Sequence, residues 1–195
     1  MTTFYTRMPS PAGDLLLAGD EGELTALWID GQRWAPAIGG DWRPDAEPFA
    51  EAMRQLREYF AGERTAFHLP LRLEGTPFQT EVWQALMRIP FGQTRTYGAI
   101  AAELGRPQAA RAVGAANGQN PFCIVVPCHR LIGADGRLVD YAAGLEVKRG
   151  LLAHEARVTD DALRPRAAAS PRSRTPSPPS GSPGNRGSAP PSAEP

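Results

Sequence analysis

The stretch that most constrains this 195-residue sequence is Ile-Val-Val-Pro-Cys-His-Arg, at residues 124–130. Its three consecutive β-branched residues favour a strand that is buried on both faces. Pro127 cannot donate a hydrogen bond to a neighbouring strand, so we expect the strand to end there and to hold Cys128 in a fixed position. His129 is a potential base for that thiol. The stretch therefore predicts either a cysteine nucleophile at a strand end or a buried structural cysteine.

The charged residues are unevenly distributed, although the formal net charge is +0. Residues 1–75 carry 7 Lys/Arg and 12 Asp/Glu, whereas residues 76–158 carry 9 Lys/Arg and 6 Asp/Glu. The positive excess lies in the segment that contains Cys128. This permits a polyanion as the partner without requiring one.

The sequence contains two cysteines, Cys123 and Cys128. Successive residues of a strand advance by about 3.3 Å, so a disulfide between these two positions is not expected. No Cys/His spacing suits zinc, and we predict neither a metal nor a cofactor. Because no apolar signal core and no long apolar run are found, we expect a cytoplasmic protein in a reducing compartment, without membrane contact.

The first part of the chain is typical of a small antiparallel sheet covered by a helix. Apolar residues from Phe49 to Phe60 recur at helical spacing and predict a helix within residues 45–62. We assign residues 1–75 to an N-terminal domain. The predicted strands, separated by Gly-containing turns, are residues 3–8, 13–19, 23–30 and, less regularly patterned, 65–73.

The second part of the chain, residues 76–158, is predicted to be mainly helical. Thr76 is a candidate N-cap followed by Pro77 at the first helical position, and Thr96 is a candidate N-cap for a second helix. Pro107 is expected to begin a third helix, and a last helix is predicted at residues 145–157. The second and third helices, joined by a short Leu-Gly-Arg turn, have the outline of a helix-turn-helix.

Arg111 stands alone among the small residues of the third helix. Without an acidic neighbour at helical spacing, it is free to contact a phosphate or to enter a base stack. Small side chains equally suit a helix packed in a protein core. Beyond residue 158 the composition changes, and the Pro-, Ser- and Gly-rich residues 167–195 predict a disordered end to the 159–195 tail.

Several motifs of residues 76–158 resemble the O6-alkylguanine-DNA alkyltransferase family. They match it in order and spacing: Thr96-Tyr97, Ala-Ala-Arg-Ala-Val-Gly at 109–114, Asn120-Pro121, Pro-Cys-His-Arg at 127–130, Tyr-Ala-Ala-Gly-Leu at 141–145 and Leu-Leu-Ala-His-Glu at 151–155. The resemblance is looser over residues 1–75. It implies a ribonuclease-H-like α/β N-terminal domain, with an antiparallel sheet plus a helix, and a mainly α catalytic domain built on a helix-turn-helix.

The resemblance implies direct-reversal DNA repair by a suicide methyltransferase. Cys128 would take the alkyl group, chiefly methyl, from guanine O6 as a stable thioether and would react once; O4-alkylthymine is a further candidate substrate. His129 would act as base through a water, oriented by Glu155. Asn120 would brace this network, and Tyr97 would donate a proton toward the departing guanine.

The implied partner is double-stranded DNA containing alkylated guanine, bound by its minor groove with the damaged base rotated out of the duplex. Arg111 would fill the space that the base vacates. A monomer without a stable protein partner is expected. The implied DNA-contacting residues are Thr96, Ala110, Arg111, Ala112 and Gly114, and the implied pocket residues are Leu131, Val139, Tyr141 and Ala142.

Two other classes of function are compatible with parts of this pattern. A damage sensor would bind alkylated DNA without repairing it, but such a protein replaces the nucleophile, and Cys128 is present. A cysteine hydrolase could use Cys128, His129 and Glu155, but it would need an oxyanion hole, and it would give the Arg111 helix no purpose.

Overall fold

The N-terminal sheet consists of four strands, β1 (Phe4–Met8), β2 (Leu15–Gly19), β3 (Leu24–Ile29) and β4 (Arg43–Pro44), in the order β3-β2-β1-β4. The computed structural model describes residues 2–20, 22–35 and 37–163. Strand β2 pairs antiparallel with both β1 and β3, which confirms the predicted antiparallel sheet, whereas the two-residue β4 pairs parallel with β1. Residues 65–73 form no strand and contribute one isolated bridge, Leu24–Leu71, so that prediction was wrong.

Helix α1 (Ala50–Ala61) confirms the helical pattern of the first part of the chain. It follows a short 3-10 helix, Glu47–Phe49, and ends at Gly62, whose φ of 78° is left-handed. Its residues Leu56 and Tyr59 are fully buried and belong to the same core as the sheet. The helix therefore covers one face of the sheet and brings Tyr59 into the interior.

The second part of the chain is helical, as predicted. The Thr76 hydroxyl accepts from the Gln79 N–H at 3.3 Å while the Gln79 side chain accepts from the Thr76 N–H at 2.7 Å, so the capping box forms. Thr96 likewise caps its helix by accepting from the Ala99 N–H. The elements are α2 (Pro77–Met87), β5 (Arg95–Thr96), α3 (Tyr97–Glu103), α4 (Ala110–Gly118), β6 (Leu131–Ile132) and α5 (Leu145–Leu163).

Two helix boundaries differ from the predictions. The Ala109 N–H donates to the Arg106 carbonyl and closes a turn, so Pro107 lies in that turn and α4 begins at Ala110. Helix α5 continues to Leu163, past the predicted end at residue 157. Helices α3 and α4 pack on each other as the two helices of the helix-turn-helix.

The predicted strand at residues 124–126 does not form. Only Phe122 bridges to β3, and Ile124 adopts a left-handed conformation with φ of 71°, while the Val126 N–H donates to the Phe122 carbonyl. The segment is a buried turn, since its backbone groups are satisfied locally and its apolar side chains enter the core. Cys128 therefore begins a short 3-10 helix, Cys128–Arg130, and does not lie at a strand end.

Both parts of the chain contribute to one hydrophobic core. Leu17 and Leu27 of the sheet, Leu86 of α2 and Ile100 of α3 are each fully buried within it. In the part of the chain that is described, no helix is long and apolar enough to span a membrane. The disorder predicted for residues 167–195 lies outside the described residues.

Candidate active site

A cavity of about 420 Å³ opens between helix α4 and the loop at residues 139–142, and Cys128 lines it. Most of the predicted site residues meet here. The cavity wall includes the predicted Tyr97, Ala110, Arg111, Gly114, Asn120, Cys128, Val139, Tyr141 and Ala142, and also Ala115, Asn117, Gly118, Cys123 and Asp140.

The other predicted site residues lie around the cavity and not on its wall. Thr96 caps α3, and Ala112 is exposed on α4. Leu131 is fully buried in β6, where its N–H donates to the Cys128 carbonyl. His129 and Glu155 are fully buried behind the cavity.

Glu155 is held by four residues. Its carboxylate accepts from the Tyr59 hydroxyl at 2.9 Å, the Gly92 N–H at 2.9 Å and His129 Nε2 at 2.8 Å. Arg130 adds Nε and Nη2 contacts of 2.9–3.2 Å. Burial acts to raise the pKa of Glu155, but His129 and Arg130 outweigh it and lower the pKa to about 2. The carboxylate is therefore ionised at neutral pH.

The bond to Glu155 fixes the orientation of the His129 ring. Because the carboxylate accepts at Nε2, the other nitrogen, Nδ1, is the one left to accept a proton. Nδ1 is buried and has no hydrogen-bond partner among the described residues. Burial lowers the pKa of His129 despite the neighbouring carboxylate, so the imidazole is neutral at neutral pH and competent as a base.

Cys128 is buried, and its environment favours the thiolate. The neighbouring Cys123 thiol, a potential hydrogen-bond donor to the thiolate, lowers the pKa of Cys128, whereas burial opposes this effect. Asn120 and the positive charge of Lys148 lower the pKa further. Cys128 makes no hydrogen bond to His129, so the base adjacent in sequence is not in direct contact with the thiol.

Asn120 and Tyr97 contribute to the site in different ways. The Asn120 side-chain amide donates to the Val126 carbonyl at 2.9 Å and accepts from the Phe122 N–H at 3.0 Å, which braces the turn that precedes Cys128. Burial, reinforced by the negative charges of Cys128 and Asp140, raises the pKa of Tyr97 to about 12. Its hydroxyl therefore stays protonated at neutral pH and is available as a hydrogen-bond donor in the cavity.

Arg111 is the arginine without a partner in this part of the structure. Each of the other seven arginines of residues 76–158 contacts an acidic side chain or His154. Arg111 makes no hydrogen bond or ion pair with the described residues, is exposed on α4, and lines the cavity beside Cys128. The freedom expected from the sequence is therefore observed.

Four residues of this region were not identified from the sequence: Tyr59, Arg130, Lys148 and Cys123. Lys148 is fully buried, with its Nζ donating to the Val139 carbonyl at 2.8 Å, and burial lowers its pKa to about 8. A detectable signal existed for it, since Lys148, Leu151 and Glu155 share one face of α5 and place two charged residues on a buried stripe. No sequence signal links Tyr59 to Glu155.

No group of three or more His, Cys, Asp or Glu residues that could hold a metal occurs within residues 2–20, 22–35 and 37–163. The chemistry that the arrangement supports is nucleophilic. A thiolate-favouring cysteine faces a cavity, and a neutral, oriented imidazole lies behind it.

Comparison with known families identifies both parts of the chain. Residues 3–73 match the ribonuclease-like domain of 6-O-methylguanine DNA methyltransferase, and residues 77–157 match its DNA-binding domain. A ribonuclease-like sheet joined to a helix-turn-helix that carries a cysteine cavity defines the alkyltransferase class. The chain belongs to the 6-O-methylguanine DNA methyltransferase family.

Individual relatives agree with this assignment. The chain is 54% identical to a methylated-DNA–protein-cysteine methyltransferase of Mycobacterium leprae, over 74% of this chain and 87% of the relative. It is 50% identical to one of Methanosarcina acetivorans, over 76% and 96%. A crystal structure of Mycobacterium tuberculosis OGT in complex with DNA matches with a TM-score of 0.75 and 49% identity, covering 80% of this chain and 94% of that one.

Proposed function

We propose that this chain repairs alkylated DNA by direct reversal, transferring the alkyl group from guanine O6 to Cys128 in a single turnover. The observation that carries the proposal is the position of Cys128 in a cavity bordered by α4, with the unpaired Arg111 at the same wall. The substrate is double-stranded DNA bound through the minor groove. We place the protein in the cytoplasm, because its two cysteines are free.

The proposed covalent step uses residues of this site. His129 Nδ1 takes the thiol proton through a water, and the Cys128 sulfur attacks the carbon attached to O6. The carbon–O6 bond breaks, a thioether forms, and Tyr97 donates a proton to the departing guanine. Glu155 holds the imidazole in the required tautomer. No group in the cavity can remove the alkyl group from the thioether, so each protein molecule reacts only once.

The bordering residues divide the remaining roles. Ala110, Ala112 and Gly114 give α4 a smooth surface for the groove, and Thr96 contacts DNA beside Tyr97. Tyr141 flanks the rotated base. Val139 and Ala142 complete the pocket wall, and Leu131, which the resemblance also places in the pocket, supports Cys128 from the core behind it. We also propose a division between an N-terminal domain at residues 1–75 and a catalytic domain at residues 76–158.

The test is mass spectrometry of the full-length protein after mixing with a duplex that contains O6-methylguanine. We expect a stoichiometric gain of one methylene mass on the peptide that carries Cys128. Retained DNA binding without an adduct would instead indicate a damage sensor. Repeated turnover without an adduct would indicate a hydrolase. Either result would overturn the proposal.

Replacing Arg111 with alanine is expected to slow methyl transfer on duplex DNA by about tenfold or more, because unstacking a base costs a few kcal/mol and the side chain offsets part of that cost. Transfer to a single-stranded oligonucleotide should change little. Single-turnover kinetics on the two substrates measure this difference.

Arg149→Ala is the matched control, since it removes the same charge from an exposed, ion-paired position on α5. Equal rates for Arg111→Ala and the parent protein on duplex DNA would exclude the base-rotation role. An equal loss of transfer rate in the two variants would indicate that Arg111 provides only general electrostatic attraction to DNA.

A further inference from the structure

Cys123 is a second thiol in the cavity wall and has no role in the steps above. It is buried, and it lines the same cavity as Cys128. Its Sγ lies 2.9 Å from Gln32 Oε1, which also accepts from the Ile29 N–H at 2.9 Å. Gln32 belongs to the N-terminal part of the chain, so a side chain far away in sequence fixes this thiol.

The turn at residues 124–126 brings the two cysteines together. In the expected strand they would have been separated along an extended backbone, but the left-handed Ile124 and the bond from the Val126 N–H to the Phe122 carbonyl fold the segment back. As a result, both cysteines line the same cavity, and the Cys123 thiol influences the ionisation of Cys128.

A thiol carries one proton, so Cys123 donates either to Gln32 or to Cys128. While Cys128 is protonated, the amide oxygen of Gln32 is the better acceptor. Once Cys128 ionises, a hydrogen bond to the anion is charge-assisted and about twice as strong as a neutral one. Gln32 Oε1 still accepts from the Ile29 N–H, so it is not left without a hydrogen bond when the Cys123 thiol turns to Cys128.

We propose that Cys123 is a positioning residue for alkyl transfer, whose thiol, held by Gln32, stabilises and orients the Cys128 thiolate. The inference rests on the proposed function of Cys128 as the acceptor. Once Cys128 has become a neutral thioether, the Cys123 thiol again donates its hydrogen bond to Gln32.

Other groups that face Cys128 also affect its ionisation. Lys148 contributes a positive charge. The buried Tyr141 hydroxyl has no hydrogen-bond partner among the described residues, so it can also donate to the thiolate. Tyr97 and Asp140 share the cavity wall, and His129 lies behind it. Cys123 itself remains protonated, because the neighbouring Cys128 and burial raise its pKa.

The test compares Cys123→Ala, Cys123→Val and Cys123→Ser in the full-length chain. Alkylation of Cys128 by iodoacetamide is followed against pH by peptide mass spectrometry. Alanine and valine remove the donor, and valine also keeps bulk in the cavity should the alanine variant not fold. We expect both to move the Cys128 profile to higher pH and to reduce its reactivity at neutral pH by about tenfold, the loss that corresponds to one pKa unit. Serine, which retains a donor, should restore part of the reactivity.

Methyl transfer from duplex DNA should fall in parallel, with unchanged DNA affinity. An unmoved pH profile in the folded alanine or valine variant would overturn the inference, as would a serine variant that behaves like alanine. Iodoacetamide requires no DNA, so this result stands apart from the proposed function, which fails instead if the parent protein shows no methyl adduct.

Discussion

Cys128→Ala is expected to abolish methyl transfer completely while leaving the protein folded and able to bind DNA. The cavity contains one other thiol, Cys123, but its proton is retained and it is bound to Gln32, so it cannot replace the missing nucleophile. Truncating the buried side chain should cost about 1 kcal/mol of unfolding free energy. The Cys128 contribution is therefore chemical and not structural.

Single-turnover transfer, DNA affinity and thermal unfolding measure the three parts of this expectation. Cys123→Ser is a suitable control, since it removes the other thiol while retaining a hydrogen-bond donor, and it should still accept the methyl group. Residual transfer by Cys128→Ala, or an adduct that moves to Cys123, would contradict the assignment of the acceptor.

Glu155→Gln is expected to impair both stability and catalysis. The substitution keeps the shape but removes the charge that Arg130 and His129 share in a fully buried site. Leaving a buried charge without its partner typically costs about 3–5 kcal/mol. The amide also no longer enforces the tautomer with a free Nδ1, so the rate of transfer should fall by about a hundredfold or more.

The stability loss should depend on pH in a specific way. The pKa of Glu155 is lowered to about 2 from its usual 4.5, so its ionised form stabilises the fold fully above that usual value. This stabilisation is lost as the pH falls from 4.5 toward 2. Denaturant unfolding across this range should therefore show a steeper decline for the parent protein than for Glu155→Gln.

Glu146→Gln is the matched control on the same helix, because Glu146 is exposed and pairs with Arg149 at the surface. It should leave the unfolding free energy close to that of the parent protein, because an exposed ion pair contributes little. If folded Glu155→Gln retained the transfer rate of the parent protein, the residue would have only a structural role.

Sequence patterns predicted correctly those elements that depend on interactions between residues close together in the chain. The Thr76 capping box, the Thr96 cap and the periodic apolar residues of α1 each involve neighbours within one or two turns, and each predicted helix formed. The motif around Cys128 and the isolated Arg111 identified the family for the same reason. Their chemistry is carried by residue type and spacing.

The strand predicted at residues 124–126 failed because intrinsic β-propensity is weak compared with tertiary context. Burial of Ile124 and Val126 was correctly expected, but a β-branched run cannot reveal that its backbone will turn. Because a strand was expected at residues 124–126, Cys123 and Cys128 were not predicted to share one cavity wall. An extended chain would separate them, whereas a turn joins them.

Residue types and their spacing were sufficient to predict the helices, the family, the nucleophilic cysteine and the unpaired Arg111. The support of that cysteine depends on packing between distant segments. Tyr59 reaches Glu155 across 96 positions, and Gln32 reaches Cys123 across 91. Contacts at such separations leave no periodic or spacing signal, because they arise when the sheet and the helices pack on a common core.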